Sequence, residues 1–276
     1  KNPKRLQVEY VWQTMERSRR IGIHRYSAGR STLAEDRLAS ETLIHLYSNG
    51  AKISSLLGTP TDLSELFLGH TYSEGYGRYT GSNIVHERSE SGSIKVHMDQ
   101  NVAPLASNER IITSSCGACN ADGLEELIEG LPNFALTHQP IQHDSLFSAL
   151  ESMKELQLGF IETGGMHASA LWNSLLGLRH LSEDIGRHNA VDKTIGRGLM
   201  AGVSFGDELL LLSGRCGWDL VAKAARSGIG TIVCIGACST LAADTARSLG
   251  MRIYSFMKRD SSVAIGLVSR VENNKP

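Results

Sequence analysis

The sequence predicts an α/β (α+β) protein in which a smaller β-rich portion precedes a core with a parallel β-α-β-α-β arrangement. Three observations support this: apolar strands alternate with amphipathic helices in the last third, strand-like runs flank an Asn-Gly turn in the first third, and the composition is ordinary for a globular chain. Hydrophobic residues make up 41% and charged residues 21% of the 276 residues, which suffices for a sizeable core. We expect the β-rich portion to cover residues 1–110 and the α/β core residues 111–276.

The β-rich portion begins with a strong hairpin signal in LIHLYSNGAKISSLL, where Asn49-Gly50 joins two strand-like runs. A helix with one apolar face is predicted in TPTDLSELFLGH, with Thr61 or Asp62 as its N-cap. A half-buried strand is predicted in GSIKVHMD, where apolar and polar residues alternate. The basic arm over residues 1–20 contains no apolar run like that of a signal peptide, and we expect a solvated tail or an edge strand there.

The middle of the chain predicts a helix and a strand that precede a glycine pair. The helix lies in HDSLFSALESMKELQLG and is capped by Asp144 or Ser145. A short strand is predicted in FIETGG, ending at Gly164-Gly165, where the backbone can approach a ligand closely. His167 would follow in the first turn of a helix.

The last third predicts three buried strands, in DELLLLSG, TIVCIGA and RIYSFM, separated by helices in WDLVAKAARSG and STLAADTARSLG. Strands that are apolar throughout imply a parallel sheet covered on both faces. Ligands bind such sheets at the carboxyl ends of the strands, where residues 213–216, 237–240 and 256–259 supply hydroxyls, helix N-termini and three cations. We call this edge the rim; a phosphate-bearing ligand suits it, although loops at strand ends are often polar without one.

Charge and cysteine content restrict the partners and the location. The net charge is −1 and the isoelectric point about 6.9, so no global field draws nucleic acid or an anionic membrane. No segment is long and apolar enough to cross a bilayer. Five cysteines are an odd number in a chain that is neither small nor cysteine-rich, which favours a reducing, cytoplasmic setting.

The pair Cys116 and Cys119 in SSCGACN is the first candidate for chemistry. As half of a zinc site it needs two further ligands, and the sequence has no second CxxC. A redox pair or a nucleophile at a strand-to-helix bend fits better, and an exposed Gly-Ala spacer favours function over two incidental thiols. Cys234 lies in an apolar strand and is predicted to be a core thiol.

A second candidate is the charge-rich stretch SEDIGRHNAVDKTIGRG. Glu183 with Arg187, and Asp184 with His188, have the i,i+4 spacing of a solvated helical face. A buried network or a bound polar ligand is the favoured alternative, because Gly186 interrupts a helix there.

The chain resembles the FdhD family, the formate dehydrogenase accessory sulfurtransferases, in four stretches: GTPTDLSELFLGHTYSEGYG, SSCGACN, TGGMHASAL and EDIGRHNAVDK. The resemblance implies a core similar to the cytidine deaminase fold, a homodimer, and no tightly held metal. It also implies that a cysteine desulfurase donates sulfur as a persulfide. The protein would pass that sulfur to the molybdenum (or tungsten) bis-guanine-dinucleotide cofactor of formate dehydrogenase.

Carried over residue by residue, the resemblance makes Cys116 the persulfide-bearing residue and Cys119 its partner. The family's cofactor-binding segment falls on Phe256, Met257, Lys258, Arg259, Asp260 and Ser261. Further candidates for phosphate or guanine contact are Arg187, His188, Lys193 and Arg215, and His167 is a candidate proton donor.

Two other functions remain open from the sequence. One is a cofactor-binding chaperone that uses the rim and not the thiols. The other is a structural zinc protein.

Overall fold

The computed structural model describes residues 16–79, 83–102, 128–135 and 141–266, and within these ranges it contains sheets of two, four and six strands. The strands are β1 (Ser18–Ser27), β2 (Arg30–Ala39), β3 (Thr42–Ser48), β4 (Ala51–Gly58), β5 (Ile84–Arg88), β6 (Ile94–Met98), β7 (His167–Asn173), β8 (Gly177–Asp184), β9 (Leu209–Leu212), β10 (Thr231–Cys234), β11 (Arg252–Lys258) and β12 (Ser261–Ile265). The helices are α1 (Leu63–Ser73), α2 (His143–Glu155), α3 (Leu158–Thr163), α4 (Arg187–Met200), α5 (Trp218–Arg226) and α6 (Thr240–Leu249), with a 3-10 turn at Phe205–Asp207. The mixed α/β class is confirmed.

The first third is β-rich, as predicted. The two-stranded sheet pairs β1 with β2, and the four-stranded sheet has the order β4-β3-β6-β5. Asn49 and Gly50 connect β3 to β4 with φ values of 43° and 84°, the two positive angles that a tight hairpin turn requires. The predicted strand in GSIKVHMD is β6, in which Ile94, Val96 and Met98 are buried.

Helix α1 begins where the sequence placed it, with Asp62 at the N-cap as one of the two predicted residues, but without the side-chain hydrogen bond of a cap. Asp62 occupies the N-cap position in a left-handed conformation, with φ 51°, and its side chain makes no cap hydrogen bond. Instead its carboxylate forms an ion pair with the guanidinium of Arg197 on α4, with Nη2 and Oδ1 2.9 Å apart. A long-range ion pair has replaced the local cap.

The six-stranded sheet has the order β12-β11-β10-β9-β7-β8, and β9, β10 and β11 are parallel as predicted. Alternate residues of β9 enter different cores: Leu210 and Leu212 face the core formed with α1, α4, α5 and α6, whereas Leu209 and Leu211 face the core under α2. Burial on both faces explains why this strand is apolar without alternation.

The sequence prediction for FIETGG is wrong. The first four of these residues, FIET, belong to α3, and Gly164 is its C-cap with φ 66°. His167 begins strand β7 and does not lie in a helix. The reason is tertiary: the carboxylate of Glu183 accepts hydrogen bonds from the backbone N–H groups of Gly159 and Phe160, at 2.7 and 2.8 Å. A residue from β8 thus satisfies the first N–H groups of this short helix.

The cap predicted for α2 is also wrong. The N-cap position is Gln142, and its side chain makes no cap hydrogen bond, while Asp144 and Ser145 lie inside the first turn. The apolar stripe is confirmed, because Leu146, Leu150 and Met153 are buried.

The predicted division near residue 110 falls outside the described residues and stays a prediction. Among the helices that the structure describes, none is both long and apolar enough to span a membrane.

Candidate functional site

The CxxC pair, Cys116 and Cys119, lies outside the described residues. Their predicted roles therefore stay predictions. The rim, by contrast, is described completely.

The loops that follow β9, β10 and β11 lie side by side and form the rim. The backbone N–H of Gly236 donates to the carbonyl of Gly214 at 3.1 Å, and that of Phe256 donates to the carbonyl of Gly236 at 3.0 Å. The loops after β9 and β10 therefore extend the hydrogen bonding of the sheet beyond their strands, alongside the last part of β11. The sequence-predicted juxtaposition of these three segments is present in the structure.

Strand β7 adds His167 to the rim. It runs antiparallel to β9, so its first residue lies at the carboxyl end of β9, and His167 is paired with Asp184 at the end of β8. The backbone N–H of Ala168 donates to the Ser213 hydroxyl at 2.8 Å, which joins β7 to the first rim loop. Helix α4, which follows β8, starts at the same edge with Arg187.

The charges of two arginines act on His167. It is half-buried, and burial lowers its pKa; the charges of Arg187 and Arg215 lower it further. Both effects favour the neutral imidazole. Arg187 begins α4 and Arg215 lies in the first rim loop. Guanidinium groups beside helix N-termini favour an anion such as phosphate.

His188 has an acidic partner that sequence reasoning missed. Its imidazole contacts the carboxylate of Asp219 in the first turn of α5, and the Arg187 guanidinium lies 3.9 Å from the same carboxylate. Burial lowers the pKa of His188, and Asp219 opposes that shift. A Cβ on Gly217 would overlap the Asp219 carboxylate, which would have to shift to make room. The sequence offered one signal for this contact: Asp219 follows Gly217 by two residues at the start of a helix.

The predicted cofactor-binding segment divides into three parts. Phe256 lies on the rim, is 49% exposed and has a φ of 49°, an uncommon and strained angle for an aromatic residue. Met257 turns its side chain into the core under α2 and is only 5% exposed. The last part, at the exposed β11–β12 turn, comprises Lys258, Arg259, Asp260 and Ser261.

Within this turn, the Arg259 guanidinium lies 5.5 Å from the ring centroid of Phe147 on α2, in cation–π range. The side chain of Arg259 therefore lies on the face of the sheet that α2 covers. The role of the segment in binding a cofactor stays a prediction.

Comparison with known proteins identifies the family of this chain. The model of the FdhD/NarQ family matches residues 39–265, from the end of β2 to the end of β12, and so includes every rim loop. The chain belongs to the FdhD/NarQ family. The resemblance found in the four sequence stretches is confirmed.

Relatives in the FdhD/NarQ family carry the name sulfur carrier protein FdhD. The one from Sulfurisphaera tokodaii is 31% identical over 255 residues, which are 88% of this chain and 94% of the relative. The one from Burkholderia cenocepacia is 31% identical over 262 residues, 90% of this chain and 94% of the relative. A crystal structure of a proposed formate dehydrogenase accessory protein from Desulfotalea psychrophila shares the fold, with a TM-score of 0.71 and 23% identity over 92% of this chain and 99% of that one.

The FdhD/NarQ stretch EDIGRHNAVDK spans a strand and a helix. Because β8 ends at Asp184 and α4 begins at Arg187, the interpretation as i,i+4 pairs on one helical face is wrong. The buried network is confirmed: Asp184 accepts hydrogen bonds from Lys193 Nζ at 2.6 Å and from the Asn189 amide at 3.1 Å.

Lys193 was also predicted to contact phosphate or guanine, and this is wrong. Its side chain is fully buried, and it donates to the Thr59 carbonyl at 2.9 Å in addition to Asp184. Lys193 therefore connects α4 to the loop that precedes α1, and its side chain does not face the rim.

A second buried network of the FdhD/NarQ fold surrounds Asp192 on α4. Its carboxylate accepts hydrogen bonds from the Ser73 hydroxyl at 2.6 Å and from Lys223 Nζ at 2.8 Å, and His70 Nδ1 lies at 3.1 Å. Burial alone would raise the pKa of Asp192, but Lys223 and His70 outweigh it and hold that pKa well below its usual range. The network ties α1, α4 and α5 together beneath the rim.

A metal site is not apparent in the part of the chain that the structure describes, where no group of three His, Cys, Asp or Glu residues is arranged to hold an ion. The zinc hypothesis concerned Cys116 and Cys119, which lie outside that part.

Replacing Asp219 with asparagine will lower the pKa of His188 further, because the carboxylate charge that favours the imidazolium is lost while burial stays. An NMR titration of the histidine ring resonances measures this pKa. Asp244→Asn is the control, since Asp244 pairs with Arg247 on the surface of α6. An unchanged or raised pKa in Asp219→Asn would show that Asp219 does not act on His188.

Proposed function

We propose that this FdhD/NarQ protein is a sulfur carrier that serves formate dehydrogenase. It accepts sulfane sulfur from a cysteine desulfurase as a persulfide on Cys116. It then transfers that sulfur to a molybdenum (or tungsten) bis-guanine-dinucleotide cofactor held as substrate at the rim. We further propose that it acts as a cytoplasmic homodimer. The names of the relatives support the sulfur-carrier role, and the shared fold with a proposed formate dehydrogenase accessory protein supports the link to that enzyme.

The observation that carries the proposal is that His167, Arg187 and Arg215 all lie at the rim edge of the sheet, where both arginine charges act on His167. A guanine dinucleotide presents a pyrophosphate, which guanidinium groups bind through paired hydrogen bonds. Helices α4, α5 and α6 all begin at this edge, and their first N–H groups favour the same negative charge. A bound pyrophosphate would raise the pKa of His167, so that His167 takes up a proton and becomes the proton donor that the motif suggested.

The sulfur step is a thiol–persulfide exchange. The thiolate of Cys116 attacks the terminal sulfur of the donor persulfide, the S–S bond of the donor breaks, and the donor cysteine leaves as a thiolate. Cys119 then resolves the persulfide to a disulfide, stabilises it by a hydrogen bond, or relays the sulfur onward; spacing does not choose among these.

Cys116→Ala will abolish persulfide loading at the CxxC pair. We expect intact-mass measurement after incubation with a desulfurase and cysteine to show a gain of one sulfur atom in the wild type and none at this site in the variant. Cys234→Ala is the matched control, because Cys234 is a buried thiol whose pKa burial raises to about 12. Loading of Cys116→Ala at the wild-type level would contradict the proposal.

The cofactor-binding chaperone is the second candidate, because the cationic rim is assembled from residues other than the CxxC pair. If the protein is such a chaperone, the double variant Lys258→Ala, Arg259→Ala will bind guanine nucleotide more weakly. The variants Cys116→Ala and Cys119→Ala will still support an active formate dehydrogenase. The structural zinc protein requires about one metal ion per chain with four protein ligands, which elemental analysis measures.

A further inference from the structure

Two cysteines outside the CxxC pair lie on neighbouring rim loops and are joined by a backbone bridge. Cys216 ends the loop after β9 and Cys238 ends the loop after β10, and the two residues form a parallel β-bridge. The N–H of Cys216 donates to the Ala237 carbonyl at 2.9 Å, and the N–H of Ser239 donates to the Cys216 carbonyl at 3.1 Å. Residues bridged in this way have Cα atoms about 5 Å apart, within the range of about 4.4–6.8 Å that a disulfide needs.

The two thiols differ in exposure and in acidity. Cys216 is 1% exposed, whereas Cys238 is partly exposed and precedes Ser239, the N-cap of α6. Hydrogen bonding from Cys216 lowers the pKa of Cys238, and the charge of Arg247 lowers it further. The same contact, together with burial, raises the pKa of Cys216. Cys238 is thus the accessible nucleophile, and Cys216 the protonated partner behind it.

The pair lies beside the cations of the rim. Arg215, which is exposed and acts on His167, directly precedes Cys216 in the chain. Gly236, two residues before Cys238, is hydrogen-bonded to both neighbouring rim loops. A sulfur atom on Cys238 would therefore lie at the edge where an anionic ligand would bind.

We propose that Cys238 and Cys216 form a second sulfur site, which takes a sulfane sulfur onto Cys238 and releases it as hydrogen sulfide. In the first step the Cys238 thiolate attacks the terminal sulfur of a persulfide, and the carrier thiolate leaves. In the second step the Cys216 sulfur attacks Sγ of Cys238, and the bond from that Sγ to the terminal sulfur breaks. The leaving hydrosulfide takes the proton of Cys216, and a Cys216–Cys238 disulfide remains.

This second step supplies electrons that sulfur transfer requires. Sulfane sulfur is formally zero-valent, whereas a sulfido ligand on a metal carries two more electrons. Oxidation of the two thiols to a disulfide provides both electrons, and a cellular dithiol reductant then restores the pair. The inference rests on the proposed function only for the persulfide that supplies the sulfur.

The test uses the full chain with Cys116→Ala and Cys119→Ala, so that its outcome does not depend on the CxxC pair. This protein is incubated without oxygen with glutathione persulfide, and the released sulfide is measured against a protein-free control. We expect one sulfide per chain, with a mass loss of two hydrogen atoms. Adding Cys216→Ser will instead trap the persulfide, as a mass gain of one sulfur atom, and adding Cys238→Ser will abolish both products.

Two further measurements keep the result decisive. Adding Cys234→Ala, the matched control, must leave sulfide release unchanged, because Cys234 is buried and its pKa is raised to about 12. Peptide mapping without the Cys216 or Cys238 substitutions must find the Cys216–Cys238 disulfide even where a serine variant fails to fold. Sulfide release without this disulfide, or undiminished release from folded Cys238→Ser, would overturn the inference. Failure of the proposed function would appear separately, as loading that does not need Cys116.

Discussion

Replacing Lys193 with methionine will lower the free energy of unfolding by about 3–5 kcal/mol, because it leaves the buried carboxylate of Asp184 without its counter-charge. Both side chains are fully buried, and Lys193 also holds the Thr59 carbonyl. Urea denaturation followed by circular dichroism measures the change. The loss is large because a buried, unpaired charge cannot be solvated.

Lys154→Met is the matched control for this prediction. Lys154 is 61% exposed and pairs with Glu151 on the surface of α2, so we expect a change within about 0.5 kcal/mol. The double variant Asp184→Asn with Lys193→Met should lose less than the sum of the two single changes, since neither charge is left alone. A loss in Lys193→Met no larger than in Lys154→Met would show that the buried pair does not stabilise the fold.

Replacing Gly69 or Gly196 with alanine will destabilise the protein by more than about 3 kcal/mol, the upper end for overpacking of a core. A Cβ on Gly69 would overlap the backbone carbonyl of Asp192, and a Cβ on Gly196 would overlap that of Glu65. Helices α1 and α4 touch through their backbones at these two positions, so no flexible side chain can move aside. Thermal unfolding and the yield of soluble protein measure the effect.

The control for the helix contact is Gly22→Ala. Gly22 lies on the exposed β1, and an added Cβ would meet nothing within 4 Å. We expect its melting temperature to stay within a few degrees of the wild type, and Gly206→Ala, with equally open space, should behave in the same way. Wild-type stability in both Gly69→Ala and Gly196→Ala would contradict the close helix contact.

Local sequence patterns were enough to predict much of the fold. The turn at Asn49-Gly50, the alternation in β6 and the apolar runs of β9, β10 and β11 were each predicted from neighbouring residues. Turn angles and side-chain periods depend on short stretches of chain, so a single sequence contains them. The parallel arrangement then follows from chain order, and with it the position of the rim.

Predictions that depended on distant partners were less reliable. The helix in FIETGG was missed because Glu183 of β8 satisfies its first N–H groups. Asp62 is at the N-cap of α1 as predicted, but its side chain pairs with Arg197 and makes no cap hydrogen bond. Lys193 was predicted to contact a ligand because it is a cation in a charge-rich stretch. In the structure it is buried and forms an ion pair with Asp184. Asp219 was overlooked because nothing near it in the sequence indicates His188.

The sequence by itself determined the family, the three strands of the parallel sheet, and which loops lie at its carboxyl edge. Only the tertiary structure decided which charged side chains are buried pairs and which face the rim, and it alone brought Cys216 against Cys238. The physical reason is that a charge or a thiol takes its role from its nearest neighbours in space. For these residues the neighbours lie on other strands and helices. Asp184 and Lys193 are 9 residues apart along the chain, and Asp192 and Lys223 are 31 residues apart.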